Sequence, residues 1–171
     1  MTQIDPTFGV IHDPTKIAEL TGIPLSDIAP DLPIQTVSTG VPFTILPLRD
    51  LTAARRLQIN HARSTEYLEA SGGKFFFCVT RETVDPSARL HARMRFYNGE
   101  DPATGSASGC AAAWMVANKL AQPDERVMIE QGVEMKRASR IFVRASRSND
   151  RVVNVRVGGN VVEVLRGELF F

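Results

Sequence analysis

The sequence predicts an α+β protein in which a strongly curved mixed sheet wraps around one central apolar helix. In residues 105–120 nearly every side chain is small or apolar, and a helix that is apolar on all sides must be surrounded by protein. Runs with strand character precede this helix, and further runs at hairpin spacing follow it. At 171 residues the chain is expected to form one domain, residues 1–171.

The elements before this helix are predicted from their turn and cap residues. Residues 2–10 form a short extended piece broken by Pro6. Asp13, Pro14 and Gly22 mark a short helix with an N-cap, a proline in its first turn and a glycine stop. Strands are then predicted at residues 34–38, 42–47, 74–80 and 90–97, and helices at residues 50–59 and from Asn60 to Gly72 and Gly73.

The elements after the helix are all predicted to be strands. They lie at residues 126–131, 140–145, 152–157 and 161–165. Residues 148–150 and 158–160 are turn signals between them. The glycine pair in the second turn is not a phosphate-binding loop, because neither a GK[ST] run nor a helix follows it.

Composition excludes several classes of function. Lys and Arg number 20 against 19 Asp and Glu, and no charge block indicates a nucleic-acid or membrane partner. No apolar run approaches the ~20 residues that a membrane span needs. The start of the chain lacks the features of a signal peptide, which predicts a cytoplasmic protein. Cys78 and Cys110 lack metal-ligand spacing, so no metal is expected, although the sequence leaves a disulfide between them open.

The start of the apolar helix is the candidate site. A polar turn, residues 98–102, leads into it, and Thr104 or Ser106 can cap it. First-turn amides have no partners within a helix and bind carboxylate or phosphate readily. Glu100 and Asp101 just before such an end form a candidate acid/base pair. The alternative is that Asp101 merely completes the cap and that Glu100 is solvated.

Other polar and aromatic residues are given structural roles. His91 alternates with apolar neighbours and is expected on an exposed strand face. Cys110 lies some 9 Å into the helix at ~1.5 Å per residue, so it is predicted to be a packed core thiol, as is Cys78. Trp114 is also expected in the core. Residues 137 and 140 are arginines expected at the surface, where they could steer an anionic substrate.

The run GEDPATGSA, residues 99–107, closely resembles the signature of the PhzF-like family, the phenazine-biosynthesis isomerases. Three further segments resemble the C-terminal half of that family in the same order. They are STGVPFTILPL at 38–48, EQGVEMKRASR at 130–140 and VGGNVVEVLRGEL at 157–169. The resemblance therefore covers most of the chain, with residues 1–10 corresponding to the crossover strand between halves.

The resemblance implies a diaminopimelate-epimerase-like fold, in which two similar halves each wrap a mixed sheet around a central helix. The active site of such proteins lies where the two helix starts face each other. They move protons by acid/base chemistry without a metal or organic cofactor. The named member isomerises trans-2,3-dihydro-3-hydroxyanthranilate, a small carboxylate.

The resemblance also assigns roles to individual residues. Asp101 corresponds to the active-site aspartate, Ser106 to a substrate-contacting serine, and Gly105 to a glycine whose amide faces the ligand. These three assignments agree with the interpretation of the helix start, in which the amides of Gly105 and Ser106 hold the substrate carboxylate. Thr104 is expected to act as a cap beside this substrate site.

The chain also departs from the family pattern. Nothing in it resembles the half that carries the family's general-base glutamate. Without that half the cleft is open to water, which weakens preorganised electrostatics. Three interpretations remain: an isomerase completed by a second half or a homodimer partner, a non-catalytic anion-binding or assembly module, and a fragment of a longer two-domain isomerase.

Overall fold

The computed structural model describes residues 1–96 and 99–170, and within them nine strands pair into a mixed sheet. The strand order is β1-β2-β3-β4-β5-β7-β8-β9, with β6 paired to β5. The pairs β3–β4 and β5–β7 are parallel, and the other pairs are antiparallel. The strands are β1 (Thr7–His12), β2 (Ile34–Ser38), β3 (Pro42–Pro47), β4 (Phe75–Thr80), β5 (Leu90–Phe96), β6 (Gly99–Asp101), β7 (Val127–Gln131), β8 (Ser139–Ser148) and β9 (Arg151–Gly158).

The start of the chain contacts both ends of the curled sheet. The Met1 ammonium group and carbonyl oxygen bond the backbone of Val157 on β9, and the Gln3 amide donates to the carbonyl of Val155. A few residues later, β1 pairs with β2 at the opposite end of the strand order. The curved mixed sheet with helices that the sequence predicts is confirmed.

Helix α4 (Gly105–Ala117) packs against the inner face of the curled sheet, where it contacts β2, β3, β8 and β9. Every residue from Ala107 to Val116 is buried, and Trp114 is fully buried as predicted. Small side chains explain the close packing: a Cβ at Gly109 would lie 2.6 Å from the side-chain oxygen of Gln3.

A second apolar cluster lies under the other helices, α1 (Pro14–Thr21), α2 (Leu51–Arg55) and α3 (His61–Ala70). Strand β4 separates the two clusters, because Phe77 and Val79 pack with α4 whereas Phe76 and Cys78 pack on the opposite side. Burial on both faces explains the continuous apolar run of this strand. None of the helices within the described residues is long and apolar enough to cross a bilayer.

Several local predictions are confirmed. The side chain of Asp13 caps α1, and Gly22 ends it in the left-handed region at φ 78°. Asn60 caps α3 through the amide of Arg63. The turn between β8 and β9 places Asn149 at φ 53°, as its turn signal predicts.

Other local predictions are wrong. The helix expected at residues 50–59 ends at Arg55, since the chain turns there to bring Leu57 into the second cluster. Residues 158–160 do not form a hairpin turn, and residues 161–165 do not form a strand. From Gly159 to Phe170 the chain has no regular structure and is exposed, with Val161 at 95%. The β-branched residues of this segment favour a strand, but the described structure places no strand beside them to pair with. Tyr97 and Asn98, placed in a strand and a turn by the sequence, lie outside the described residues.

Candidate functional site

Thr104 occupies the N-cap position of α4, but its side chain does not cap the helix. Its hydroxyl group donates instead to Oδ2 of Asp101 over 2.7 Å. Ser106 does not cap the helix either, because it is the second helical residue. The side-chain cap predicted at either position is therefore wrong. Thr104 orients the carboxylate of Asp101, whose Oδ1 lies a long 3.4 Å from the amide of Ala103.

Gln131, fully buried at the end of β7, holds this loop in place through one side-chain amide. Its oxygen accepts from the backbone amide of Thr104 over 3.0 Å. Its nitrogen donates to the carbonyl of Asp101 over 2.6 Å and to the Thr104 hydroxyl over 2.9 Å. One side chain thus fixes both ends of the segment that precedes α4.

Gly132 allows β7 to approach this loop closely. It adopts φ 80°, a conformation that other residues take at a cost. A Cβ at this position would lie 2.5 Å from the carbonyl oxygen of Arg137 and 2.9 Å from that of Pro102. Only a residue without a side chain fits against both backbones, and the neighbouring Gln131 can then reach Thr104.

The first turn of α4 presents unused amides. The first backbone hydrogen bond of the helix runs from the amide of Ser108 to the carbonyl of Thr104, so the amides of Gly105, Ser106 and Ala107 have no acceptor within the helix. Gly105 and Ala103 line a shallow depression of about 420 Å³ at this end. Asp101 and Ser106, close in sequence to these two lining residues, are half-buried. The four predicted site residues therefore lie together at one helix start.

Glu100 is not the solvated carboxylate of the alternative interpretation. Both of its side-chain oxygens accept from Arg93, from Nε over 2.7 Å and from Nη2 over 2.5 Å. The two side chains are 12% and 8% exposed. Nη1 of Arg93 also donates to the carbonyl of Ala54 over 2.6 Å. Glu100 therefore anchors the approach to the site and is not free to act as an acid or base.

His91 is fully buried, so its predicted place on an exposed strand face is wrong. Its Nδ1 lies 2.8 Å from Oε1 of Glu130. Its Nε2 lies 3.1 Å from Oε1 of Glu134, close enough to pair charges but without the alignment of a hydrogen bond. Glu134 is also 3.8 Å from Nε of Arg93, which joins the histidine cluster to the Arg93–Glu100 pair.

The electrostatics of this cluster favour a charged histidine. Burial alone lowers the pKa of His91, but Glu134 and Glu130 outweigh it and raise the pKa above its ordinary value. Burial raises the pKa of Glu134, and the stronger effect of His91 and Arg93 lowers it. The surroundings of this cluster therefore favour the charged forms of His91 and Glu134.

The two cysteines take no part in the site. Both are free and buried, as predicted for core thiols, so the disulfide that the sequence left open does not form. Burial raises the pKa of Cys78 to about 12 and also raises the pKa of Cys110. Both stay protonated at neutral pH. Within residues 1–96 and 99–170, no group of three His, Cys, Asp or Glu side chains is arranged to hold a metal ion.

The profile of the phenazine biosynthesis-like proteins (PhzC-PhzF) matches residues 5–167 of the chain. The chain belongs to this PhzF-like family. Solved structures share the fold: a PhzF-family phenazine biosynthesis protein of Bacillus anthracis has a TM-score of 0.78 at 23% identity, covering 95% of this chain and 60% of that one. A predicted epimerase of Pseudomonas aeruginosa has a TM-score of 0.74 at 30% identity, with 98% and 58% covered.

Curated relatives of this PhzF-like chain carry isomerase names. The trans-2,3-dihydro-3-hydroxyanthranilate isomerase of Pseudomonas chlororaphis is 39% identical over 172 residues, 99% of this chain and 58% of that protein. The chain spans about half the length of the curated relatives it matches, at 46%, 59% and 52% of three uncharacterised isomerases.

The sequence located the start of α4 but missed the residues that support it. Gln131 and Glu130 follow the apolar run of β7 directly, and a polar pair at the end of a buried strand is a signal for inward-facing groups. His91 and Arg93 gave no such signal, because alternation with apolar residues is also the pattern of a half-exposed strand.

Proposed function

We propose that this PhzF-like chain is one part of a cofactor-independent isomerase that moves a proton within a small carboxylate substrate. The amides of Gly105 and Ser106 bind the substrate carboxylate at the positive end of α4. Asp101 binds or relays the proton, and Ser106 contacts the substrate. A dihydro-hydroxyanthranilate-like compound is the proposed substrate, after the names of the curated relatives.

One observation supports this proposal above the others. A buried set of hydrogen bonds from Gln131 and Thr104 holds the carboxylate of Asp101 beside amides that the helix leaves unused. Such fixed donors stabilise developing negative charge without reorganising during the reaction. Gln131 and Thr104 are themselves buried, so the side chains that form these bonds are fixed by their surroundings.

The site requires a second wall. The depression at Gly105 is shallow, and the described chain covers about half of its curated relatives. We propose that α4 is the central helix of one half, and that a second half or a second copy in a homodimer closes the site and supplies the general base. With both thiols reduced, we place the assembled protein in the cytoplasm.

Proton exchange tests the proposal. The chain is incubated in D₂O with trans-2,3-dihydro-3-hydroxyanthranilate and a panel of small hydroxy and amino acids, alone and with the unmatched part of the Bacillus subtilis relative. Deuterium incorporation is followed by NMR, and light scattering gives the oligomeric state. We expect incorporation in the assembled form, and its loss in the variant Asp101→Asn.

The matched control is Asp31→Asn, which removes an exposed carboxylate that pairs with Arg81 at the surface. This variant is expected to keep full exchange. Exchange that persists in Asp101→Asn would overturn the role of Asp101.

A non-catalytic anion-binding module is the second candidate. It is favoured because the chain spans only about half the length of its curated relatives. Carboxylate binding at α4 without exchange in any assembly would establish this function in place of the isomerase. If the reading frame continues into a second half, the chain is a fragment of a two-domain isomerase.

A further inference from the structure

A cleft of about 940 Å³ opens beside the start of α4, with Ala103 in its lining. One wall is the connection between β4 and β5, at Val84, Asp85 and Pro86. The other wall is the turn after β7, from Val133 to the beginning of β8. The two walls belong to separate segments of the chain, so something must set the distance between them.

Glu130, at the floor of the cleft, holds the first wall. Its two carboxylate oxygens accept from the backbone amides of Val84, over 2.6 Å, and Asp85, over 2.7 Å. The same carboxylate contacts Nδ1 of His91 over 2.8 Å. The first wall is therefore tied to His91 through a single buried side chain.

Glu134 ties the second wall to the same histidine. It lies within the turn that forms this wall, and its Oε1 is 3.1 Å from Nε2 of His91. An ionised carboxylate can only accept, so the hydrogen bond to Glu130 needs a hydrogen on Nδ1, whereas pairing of charges with Glu134 needs the imidazolium, which carries a second hydrogen on Nε2. The two carboxylates on opposite sides of the ring therefore favour the doubly protonated imidazolium.

We propose that His91 is a positioning residue whose second proton holds the two walls of this cleft together beside the start of α4. The proposal rests on the proposed function for its role in substrate placement. When His91 becomes neutral it keeps one hydrogen, and one carboxylate then faces a lone pair in a buried site. The wall attached to that carboxylate is released, and the cleft loosens as the pH rises.

The other groups around His91 do not supply this link. On β5 the charged neighbour is Arg93, which is committed to Glu100 of β6 and to the carbonyl of Ala54. On β4 the residue paired with His91 is the uncharged Thr80. At the rim, Asp85 and Arg140 also bridge the walls at 2.9 Å, but Arg140 is 66% exposed, where an ion pair contributes little.

A pH titration of the ¹⁵N-labelled chain, followed by NMR without any ligand, tests the proposal. The chain has three histidines. Burial lowers the pKa of His12 and of His61, whereas that of His91 is raised, so the ring signals separate. We expect the His91 ring to titrate above ~6.5. The backbone amides of Val84, Asp85 and Glu134 should shift with the same midpoint.

Two variants and a control sharpen the titration. His91→Gln is expected to abolish the shared step at all three amides, since glutamine does not titrate. Glu134→Gln should lower the His91 midpoint and uncouple the second wall, while Val84 and Asp85 still follow His91. His61→Gln should change none of these shifts. Glu134→Gln keeps the test decisive if His91→Gln does not fold.

Wall amides whose midpoints differ from that of His91, or a shared step that persists in His91→Gln, would overturn the proposal. Because the titration uses no substrate, this failure leaves the proposed reaction standing. Failure of the deuterium exchange experiment likewise leaves the coupling of the walls intact.

Discussion

The hydroxyl group of Thr104 donates a hydrogen bond to Oδ2 of Asp101 over 2.7 Å. Its direction is fixed, because the hydroxyl oxygen already accepts from Nε2 of Gln131 over 2.9 Å and its single hydrogen must point away. Hydrogen bonds in such a chain strengthen one another in a buried site. The carboxylate of Asp101 is thus oriented from the buried side, and its other oxygen remains available toward the helix start.

Thr104→Val tests how much the chain of hydrogen bonds from Gln131 through Thr104 to Asp101 stabilises the fold. Valine has nearly the shape of threonine, but it leaves a Gln131 donor and an Asp101 oxygen without their partner. Since Thr104 is 7% exposed, we expect a loss of about 1–3 kcal/mol in the free energy of unfolding, measured by urea denaturation. Thr15→Val, at an exposed position of α1, is the control and should change stability by no more than about 0.5 kcal/mol. An unchanged stability in Thr104→Val would show that this chain of hydrogen bonds does not stabilise the fold.

Much of the fold could be predicted from local signals. Caps, turns and the all-apolar helix have short-range causes, so Asp13, Asn60 and residues 105–117 were placed correctly. The strand expected at residues 161–165 is wrong, because strand formation depends on a distant partner and not on a local signal. A strand exists only where another strand supplies hydrogen bonds, and its own β-branched side chains cannot reveal whether one is there.

The sequence could predict only those site residues that lie close together along the chain. Asp101, Thr104, Gly105 and Ser106 lie within six residues of one another, so a helix start brings them together. Their supports come from far along the sequence, as the 27-residue separation of Thr104 and Gln131 shows. Such a partner could be found only from the strand register that places the end of β7 beside the loop.

The buried pair of Arg93 and Glu100 is expected to be strongly coupled. Replacing either partner alone, as Arg93→Met or Glu100→Met, removes the bidentate partner of a buried charge, with Arg93 keeping the more distant Glu134, and should cost about 3–5 kcal/mol in the free energy of unfolding. The double variant should cost clearly less than the sum. It is not expected to be neutral, because the carbonyl of Ala54 also loses its donor.

The exposed pair of Arg81 and Asp31 is the matched control for that cycle. Both side chains are about half exposed, so Arg81→Met should change stability by no more than about 1 kcal/mol. Additive single and double variants at Arg93 and Glu100, measured by urea denaturation, would show that the buried pair is not coupled.

The effect of Gly109→Ala on the free energy of unfolding should depend on the side chain at position 3. In the native background, the new Cβ of Gly109→Ala would meet Oε1 of Gln3, which accepts a hydrogen bond from Thr39, so destabilisation is expected. In a Gln3→Ala background the obstacle is gone. The helix propensity of alanine should then stabilise the protein by up to about 1 kcal/mol. Thermal and urea unfolding of the four variants measure the reversal, and the same sign in both backgrounds would contradict the contact.

His91 should make stability fall as the pH rises from its unfolded pKa of ~6.5 through its raised folded pKa. Its pKa is raised in the folded protein, so its stabilising contribution is fully present below the unfolded value of ~6.5 and is lost as the pH passes the folded pKa. His12 and His61 have lowered pKa values and act in the opposite direction, at lower pH. The difference in unfolding free energy between the native chain and His91→Gln, measured by urea denaturation across this range, cancels those contributions. It should shrink with rising pH, since only the charged imidazole pairs with both Glu130 and Glu134. A constant or growing difference would mean that folding does not raise the pKa of His91.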